Sequence, residues 1–241
     1  MYRETKSRSL AKAITNRLIN SLATFFLVLL FFPDEAPVAA SIAMIEVVVK
    51  FILYYLNERM WDKIKLGKRE IQPFVIWLTG LPYSGKSLIA NAIYESLNKK
   101  GFTLERLDGV DVRTLFPIEG FTREERDAYL MRMGYFARLL KKNGVFVIAS
   151  FISPYEKSRA YNRQLIKEYI EIYVSTPQEV CEEWDEWGTY ERARKGEIDH
   201  FVGVQEPYEV PENPEIVVDL SQEKLDTAVS RILKTLPIKL N

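Results

Sequence analysis

Residues 80–87 have the sequence GLPYSGKS, and few folds can hold this octapeptide in its local context. It matches the pattern G-x-x-x-x-G-K-S. The apolar run FVIWL at residues 74–78 predicts a buried strand before it, and LIANAIYESLNKK after it predicts a helix that ends at Gly101. A loop of this pattern between a strand and a helix binds phosphate through its backbone N–H groups at the positive end of the helix.

Each part of this loop has a predicted role in binding ATP and Mg²⁺. Gly80 and Gly85 let the backbone curl so that successive N–H groups face the phosphate oxygens. Lys86 reaches the β and γ phosphates, and Ser87 supplies a hydroxyl ligand to Mg²⁺. The predicted ATP-binding residues of the loop are Gly80, Leu81, Pro82, Tyr83, Ser84, Gly85, Lys86 and Ser87.

The chain after this loop alternates strand and helix patterns, which predicts an α/β fold with a parallel sheet covered by helices on both faces. A helix is expected over 122–143, because Thr122 and Glu125 have the spacing of a capping box and Gly144 follows its end. The further predicted strands are 104–108, 145–150, 169–174 and 215–219.

The first seventy residues carry two apolar runs, 18–32 and 36–56, separated by Pro33-Asp34-Glu35. Two helices, over about 14–32 and 36–56, are long enough to span a bilayer if the first includes its interfacial flank. We therefore expect a transmembrane α-hairpin in a membrane domain of residues 1–70, followed by a kinase domain of residues 71–241. Lysine and arginine flank both runs, so the positive-inside rule predicts a cell-membrane protein with its kinase domain and both termini in the cytoplasm.

The hairpin has an alternative, which is an amphipathic pair of helices lying on the bilayer or on a partner protein. Glu46 and Lys50 lie inside the second run, where charge is costly, and their spacing of four residues lets them pair. RSLAKAI at 8–14 and LYYLNERMWDKIK at 53–65 resemble a small, uncharacterised family of two-helix membrane domains (DUF2061-like). That resemblance implies a membrane location.

The charge balance and the low numbers of cysteine and histidine argue against several other classes of protein. Lysine plus arginine equal aspartate plus glutamate at 33 each, so no net charge favours a nucleic-acid partner. Cys181 is the single cysteine and His200 the single histidine, which excludes an intrachain disulfide and argues against a zinc centre. Cys181 is expected to be a buried apolar residue.

Six further segments carry a family resemblance, in unbroken order over about 74–236. They are LDGVDVR at 107–113, GFTREER at 120–126, ASFISPYEKSR at 149–159, CEEW at 181–184, YERARKGEIDHFVG at 190–203 and PYEVPENPEIVVD at 207–219. In these segments the chain resembles the adenylylsulfate kinases. The resemblance implies transfer of the γ-phosphoryl group of ATP to the 3′-hydroxyl of adenylylsulfate, with Mg²⁺, and a possible homodimer.

The resemblance also implies roles for individual residues. Lys86, Asp108 and Ser150 would be catalytic, with Asp108 either orienting Mg²⁺ together with Ser87 or accepting the hydroxyl proton. Arg113 and Arg126 would hold the phosphate and sulfate of the acceptor, since guanidinium groups suit such oxyanions. The remaining implied positions are Phe121 and Phe201 around the adenine, Ile148 and Ser150 against the substrate, and Arg194 in a mobile lid over the nucleotides.

The chain departs from the family at the acceptor side. Val110 replaces an aspartate, Asp111 and Tyr129 each replace an asparagine, Trp184 replaces an arginine and Trp187 a lysine. Because one acidic side chain is lost, Asp108 or Asp111 would have to serve as the general base. One interpretation keeps adenylylsulfate as acceptor in a rearranged site. The alternatives are a kinase for another nucleotide, such as a cytidine diphosphate derivative, and a nucleotide-binding membrane scaffold without turnover.

Overall fold

The computed structural model describes residues 2–4, 11–12, 14–16, 18–20, 36–64, 68–70, 72–116 and 120–238. The chain divides into two compact units, Met1–Ile71 and Gln72–Asn241. Each unit has its own secondary structure.

The first unit contains one long helix and a short strand pair. Strand β1 (Tyr2–Glu4) is antiparallel to β2 (Lys68–Glu70), and helix α1 covers Ala36–Lys63. Residues 11–12, 14–16 and 18–20 are also helical. The indole Nε1 of Trp61 donates a hydrogen bond of 3.1 Å to the hydroxyl of Thr15, so the end of α1 contacts this earlier helical segment.

The second helix is longer than predicted, because α1 continues beyond Leu56 to Lys63. Apolarity had set the predicted boundary, whereas Glu58, Arg59 and Met60 are good helix formers and extend the helix after the apolar run ends. Residues 21–35 and the side chain of Glu46 lie outside the description, and with them most of the first predicted helix and its turn. No helix in the described ranges is long and apolar enough to cross a membrane, and the predicted transmembrane hairpin is therefore not shown.

The second unit contains a parallel sheet of five strands, β3 (Val75–Gly80), β4 (Leu104–Asp108), β5 (Phe146–Ser150), β6 (Tyr169–Val174) and β7 (Ile216–Val218). Their order in the sheet is β4-β5-β3-β6-β7. Its helices are α2 (Lys86–Lys99), α3 (Gly109–Leu115), α4 (Arg123–Lys142), α5 (Glu156–Leu165), α6 (Gln178–Glu183), α7 (Thr189–Arg194) and α8 (Leu225–Thr235). The predicted parallel α/β sheet is confirmed.

The sheet is buried on both faces. On one face Val75 and Trp77 pack with Tyr129 and Met133 of α4 in a single apolar cluster. Helix α2 lies against β3, β4 and β5 and buries its own apolar side, which includes Ile89, Ile93 and Leu97. This two-sided burial explains why β3 is an uninterrupted apolar run rather than an alternating one.

The ends of α4 confirm the predicted capping box. The hydroxyl of Thr122 accepts from the N–H of Glu125, and the Glu125 carboxylate accepts from the N–H of Thr122. Gly144 follows the helix with φ 86°, a backbone conformation that favours glycine. These caps fix where α4 begins, and its first turn carries Arg126 into the site described below.

Candidate active site

The phosphate-binding loop connects β3 to α2 at the carboxyl edge of the sheet. A Cβ atom on Gly80 would lie 2.5 Å from the carbonyl oxygen of Val174, and one on Gly85 would lie 2.5 Å from Cδ1 of Leu220. Gly85 also has φ 93°. Both positions therefore require glycine, and α2 begins directly after them at Lys86, as the motif predicts.

The Lys86 side chain curls back into the loop. It is 8% exposed, and its Nζ donates to the carbonyl oxygen of Leu81 at 2.5 Å and to the hydroxyl of Ser84 at 3.2 Å. Burial lowers the pKa of Lys86 to about 8, although Cys181 and Asp108 both act to raise it. A buried ammonium among oxygen acceptors is the group that an incoming phosphate would pair with most strongly.

Asp108 ends β4 and receives three hydrogen bonds. Its Oδ2 accepts from the hydroxyls of Ser87 and Ser150, each at 2.6 Å, and its Oδ1 accepts from the N–H of Val110 at 3.0 Å. Asp108 and Ser150 are paired positions in the β4–β5 register, which explains why they meet. Burial alone would raise the pKa of Asp108, but the hydrogen bonds from Ser150, Ser87 and Val110 lower it overall, so the carboxylate is ionised at neutral pH.

These residues fit ATP with Mg²⁺. Mg²⁺ prefers hard oxygen ligands and keeps few protein ones beside the phosphates of a nucleotide. The Ser87 hydroxyl and the ionised Asp108 carboxylate are such a pair, and they already lie within hydrogen-bond distance of each other at the mouth of the loop. They are the residues that would hold the cation.

A cavity of about 770 Å³ extends from the loop toward α4, large enough for small-molecule substrates. Many of the predicted site residues line it. They are Pro82, Tyr83, Gly85, Lys86, Ser87, Asp108, Arg113, Arg126, Ser150 and Phe201. The structure thus brings the predicted phosphate, metal and acceptor residues to one place, next to the departures Val110, Tyr129 and Trp184.

Two arginines line this cavity. Arg126 is 8% exposed, and its Nε and Nη2 donate to the carbonyl oxygens of Phe121 at 2.9 Å and His200 at 2.6 Å. The guanidinium groups of Arg113 and Arg126 lie 5.4 Å and 5.2 Å from the centre of the Phe121 ring. Burial lowers the pKa of both arginines, yet an arginine stays charged in a protein, so this side of the cavity is cationic.

Some predicted site residues lie elsewhere. Ile148 is 1% exposed within the sheet and does not line the cavity. Arg194 forms an ion pair with Glu182 and also lies outside the lining. The exposed Trp187 does not line the cavity, and Asp111 pairs with Arg106 at 2.6 Å outside it. Asp111 is therefore poorly placed to replace Asp108 as a base.

Two tertiary contacts that the sequence did not predict close one side of the phosphate loop. The hydroxyl of Tyr83 lies 2.6 Å from that of Thr189, and the hydroxyl of Tyr190 donates to the carbonyl oxygen of Pro82 at 3.1 Å. Tyr190 also packs edge-on to Phe201, with ring centres 4.9 Å apart. More than a hundred residues separate Tyr83 from Thr189, so no local pattern signals this contact.

The lowered pKa of Lys86 makes the charge beside the phosphate loop of the free protein depend on pH. Below about pH 8 the amine is charged and can pair with phosphate, and as the pH rises through 8 it becomes neutral. We expect kcat/KM for ATP to fall as the pH rises through about 8. The steady-state measurement should compare Lys86→Arg, whose side chain keeps its charge, and this variant should lack the alkaline fall. An identical fall in both proteins would contradict the assignment to Lys86.

A glycine-rich loop at the start of a helix, with a buried lysine and a serine–aspartate pair beside it on a parallel sheet, defines the class of P-loop kinases. The comparisons with known proteins narrow the class. The family model described as "Adenylylsulphate kinase" matches residues 72–219, and the chain belongs to that family. A second model, described as "Predicted membrane protein (DUF2061)", matches residues 10–62.

Individual relatives agree with the family match. The adenylyl-sulfate kinase of Halothermothrix orenii is 41% identical over 165 residues, which are 68% of this chain and 89% of that protein. The adenylyl-sulfate kinase of Gloeothece citriformis is 45% identical over 162 residues, 67% of this chain and 92% of that protein. The structure of the Mycobacterium tuberculosis APS kinase in complex with AMPPNP and APS is 32% identical, with a TM-score of 0.65, and is matched over 98% of its length and 68% of this chain.

Proposed function

We propose that this protein is an adenylylsulfate kinase, which transfers the γ-phosphoryl group of ATP to the 3′-hydroxyl of adenylylsulfate and releases 3′-phosphoadenylylsulfate and ADP. The observation that carries the proposal is the position of Asp108. Its carboxylate lies between Ser87 of the phosphate loop and Ser150 of the neighbouring strand, in a cavity that Arg113 and Arg126 also line. Relatives at 41% and 45% identity support the acceptor.

The reaction needs little covalent chemistry from the protein, so positioning and charge carry it. The 3′-oxygen bonds to the γ-phosphorus as the bond from that phosphorus to the β–γ bridging oxygen breaks, and the electron pair stays on ADP. Lys86 pairs with the charge that develops on the phosphates. Asp108 accepts a hydrogen bond from the attacking hydroxyl and takes its proton. Mg²⁺, when bound, neutralises further phosphate charge.

The test is a product assay on the full chain. Purified protein with ATP and Mg²⁺ should form 3′-phosphoadenylylsulfate and ADP in equal amounts when adenylylsulfate is added, as measured by mass spectrometry. ADP formation without that product, with a second nucleotide phosphorylated instead, would reject the proposed acceptor. Absence of turnover with any nucleotide would favour the scaffold interpretation.

A different nucleotide acceptor has one specific observation in its favour. Val110, Tyr129 and Trp184 line the cavity where the resemblance leads us to expect aspartate, asparagine and arginine. Cytidine 5′-diphosphate belongs in the same assay, because an exchange of polar for aromatic surface changes which base and sugar fit. A larger kcat/KM for it than for adenylylsulfate would support this second function.

We further propose that residues 1–70 anchor the kinase in the cell membrane as a hairpin, with the kinase domain and both termini on the cytoplasmic side. The family match over 10–62 and the two apolar runs flanked by positive charge support this proposal. Membranes carrying the full chain should retain it through alkaline carbonate and release it only with detergent. Release by carbonate would favour the amphipathic alternative, and recovery in the soluble fraction would reject a membrane location.

A further inference from the structure

Tyr129 carries a buried, unsatisfied hydroxyl beside the cavity. The residue lies on α4 and is 3% exposed, yet it lines the cavity. Its hydroxyl is buried and has no hydrogen-bond partner among the described residues. Buried polar groups are nearly always hydrogen-bonded, so an orphaned one at a cavity wall indicates a ligand that completes it.

A second orphaned donor lies on the same wall. The Nε of Arg113 is buried without a hydrogen-bond partner in the described part of the chain, and Arg113 also lines the cavity. The two groups are neighbours, and the positive charge of Arg113 acts to lower the pKa of Tyr129. Burial is the larger influence and raises the pKa of Tyr129, so the phenol keeps its proton and is a donor at neutral pH.

The side chains around Tyr129 and Arg113 indicate which kind of ligand would bind there. Both orphaned groups are donors, and Arg126 adds a second buried guanidinium on the same side of the cavity. The Asp108 carboxylate, which would hold Mg²⁺, accepts from Ser87 and Ser150 and not from Tyr129 or Arg113. Such a wall suits an oxyanion and disfavours a cation or an uncharged base edge.

We propose that the Tyr129 hydroxyl is a specificity-determining donor that hydrogen-bonds the anionic group of the acceptor nucleotide, beside Arg113. The inference rests on the proposed function, and it assigns a role to a residue that differs from the asparagine expected from the family resemblance. A tyrosine also extends further from its helix than an asparagine and narrows the cavity. The same residue therefore selects the acceptor both by hydrogen bonding and by size.

Packing is the competing explanation for Tyr129. Its ring lies edge-on to Phe151, with ring centres 6.2 Å apart, and belongs to the apolar cluster of the sheet. Tyr129→Phe separates the two roles, because it keeps this ring contact and removes only the hydroxyl. Losing an unpaired buried hydroxyl does not destabilise the fold. The variant should therefore unfold at the wild-type temperature or above.

The experiment measures adenylylsulfate binding by calorimetry, with the full chain loaded with a non-hydrolysable ATP analogue. Tyr129→Phe should weaken adenylylsulfate about 10-fold, the size expected for one hydrogen bond to a charged group, and leave the affinity for the ATP analogue unchanged. Tyr135→Phe is the matched control, since Tyr135 lies on the same helix and is exposed outside the cavity lining.

Equal affinity of wild type and Tyr129→Phe for adenylylsulfate would overturn the inference, and this includes the case in which neither binds. A parallel loss of both ligands together with a lower unfolding temperature would also overturn it, since that result indicates packing. Binding is measured without turnover, so this experiment tests the role of Tyr129 independently of the proposed function. The proposed function is rejected if adenylylsulfate binds but yields no 3′-phosphoadenylylsulfate with ATP.

Discussion

The variant Lys86→Met is expected to reduce ATP turnover about 10³-fold with every acceptor, the larger end of the effect of removing one preorganised charge donor from a transition state. Methionine fills nearly the same buried volume, so the loop keeps its packing while the charge beside the phosphates is lost. The measurement is steady-state ADP production with Mg²⁺ and a saturating acceptor.

Stability separates this loss from unfolding. Lys86 is 8% exposed and its lowered pKa reports that its charge is costly to bury. Removing that charge should leave the thermal unfolding midpoint unchanged or raise it. Lys99→Met is the control, because Lys99 ends the same helix on the surface and pairs only loosely with Glu95, at 4.0 Å. Wild-type turnover in Lys86→Met would reject the phosphate site.

The sequence predicted those parts of the kinase unit that local chemistry determines. The phosphate loop, the five parallel strands and the capping box of α4 all follow from patterns only a few residues long. The motif predicts the glycine at position 85, whose φ of 93° favours glycine, whereas its close approach to Leu220 is a tertiary contact. Such elements are predictable because neighbouring residues suffice to define them.

The remaining features of the site depend on contacts between distant segments and could not be predicted from the sequence. The family resemblance placed Ile148 at the substrate, but this residue lies two positions before the cavity-lining Ser150, within the sheet, and is only 1% exposed. Asp111 remained a candidate base in sequence, because its partner Arg106 could be identified only once β4 and α3 were in place. The hydrogen bond between the hydroxyls of Tyr83 and Thr189 depends on the whole fold in the same way.

The structure also distinguishes the departures at the acceptor side from one another. In the sequence alone, the substitutions at Val110, Tyr129 and Trp187 are equivalent, because each replaces a more polar residue by a less polar one. The structure separates them, since Val110 and Tyr129 line the cavity whereas Trp187 is 79% exposed outside its lining. A change of acceptor specificity should therefore follow substitutions at Val110 and Tyr129 more closely than substitutions at Trp187.

Asp108→Asn is expected to lower kcat about 10³-fold while ATP still binds, within the range for losing a proton-accepting group. The amide matches the carboxylate in size. It cannot accept a proton from the 3′-hydroxyl, and its NH₂ group would face the hydroxyls of Ser87 and Ser150, which now donate to the carboxylate. The measurements are kcat with adenylylsulfate and the equilibrium affinity for a non-hydrolysable ATP analogue.

Asp111→Asn is the matched control, because it makes the same chemical change three residues away on a side chain that pairs with Arg106 outside the cavity. We expect its kcat to stay within about twofold of the wild-type value, since exposed ion pairs contribute little. The reverse outcome, with activity kept in Asp108→Asn and lost in Asp111→Asn, would move the base to Asp111 and require α3 to turn toward the cavity when substrate binds. Loss in both variants would mean that the negative charge of this edge of the sheet matters as a whole, rather than one proton acceptor.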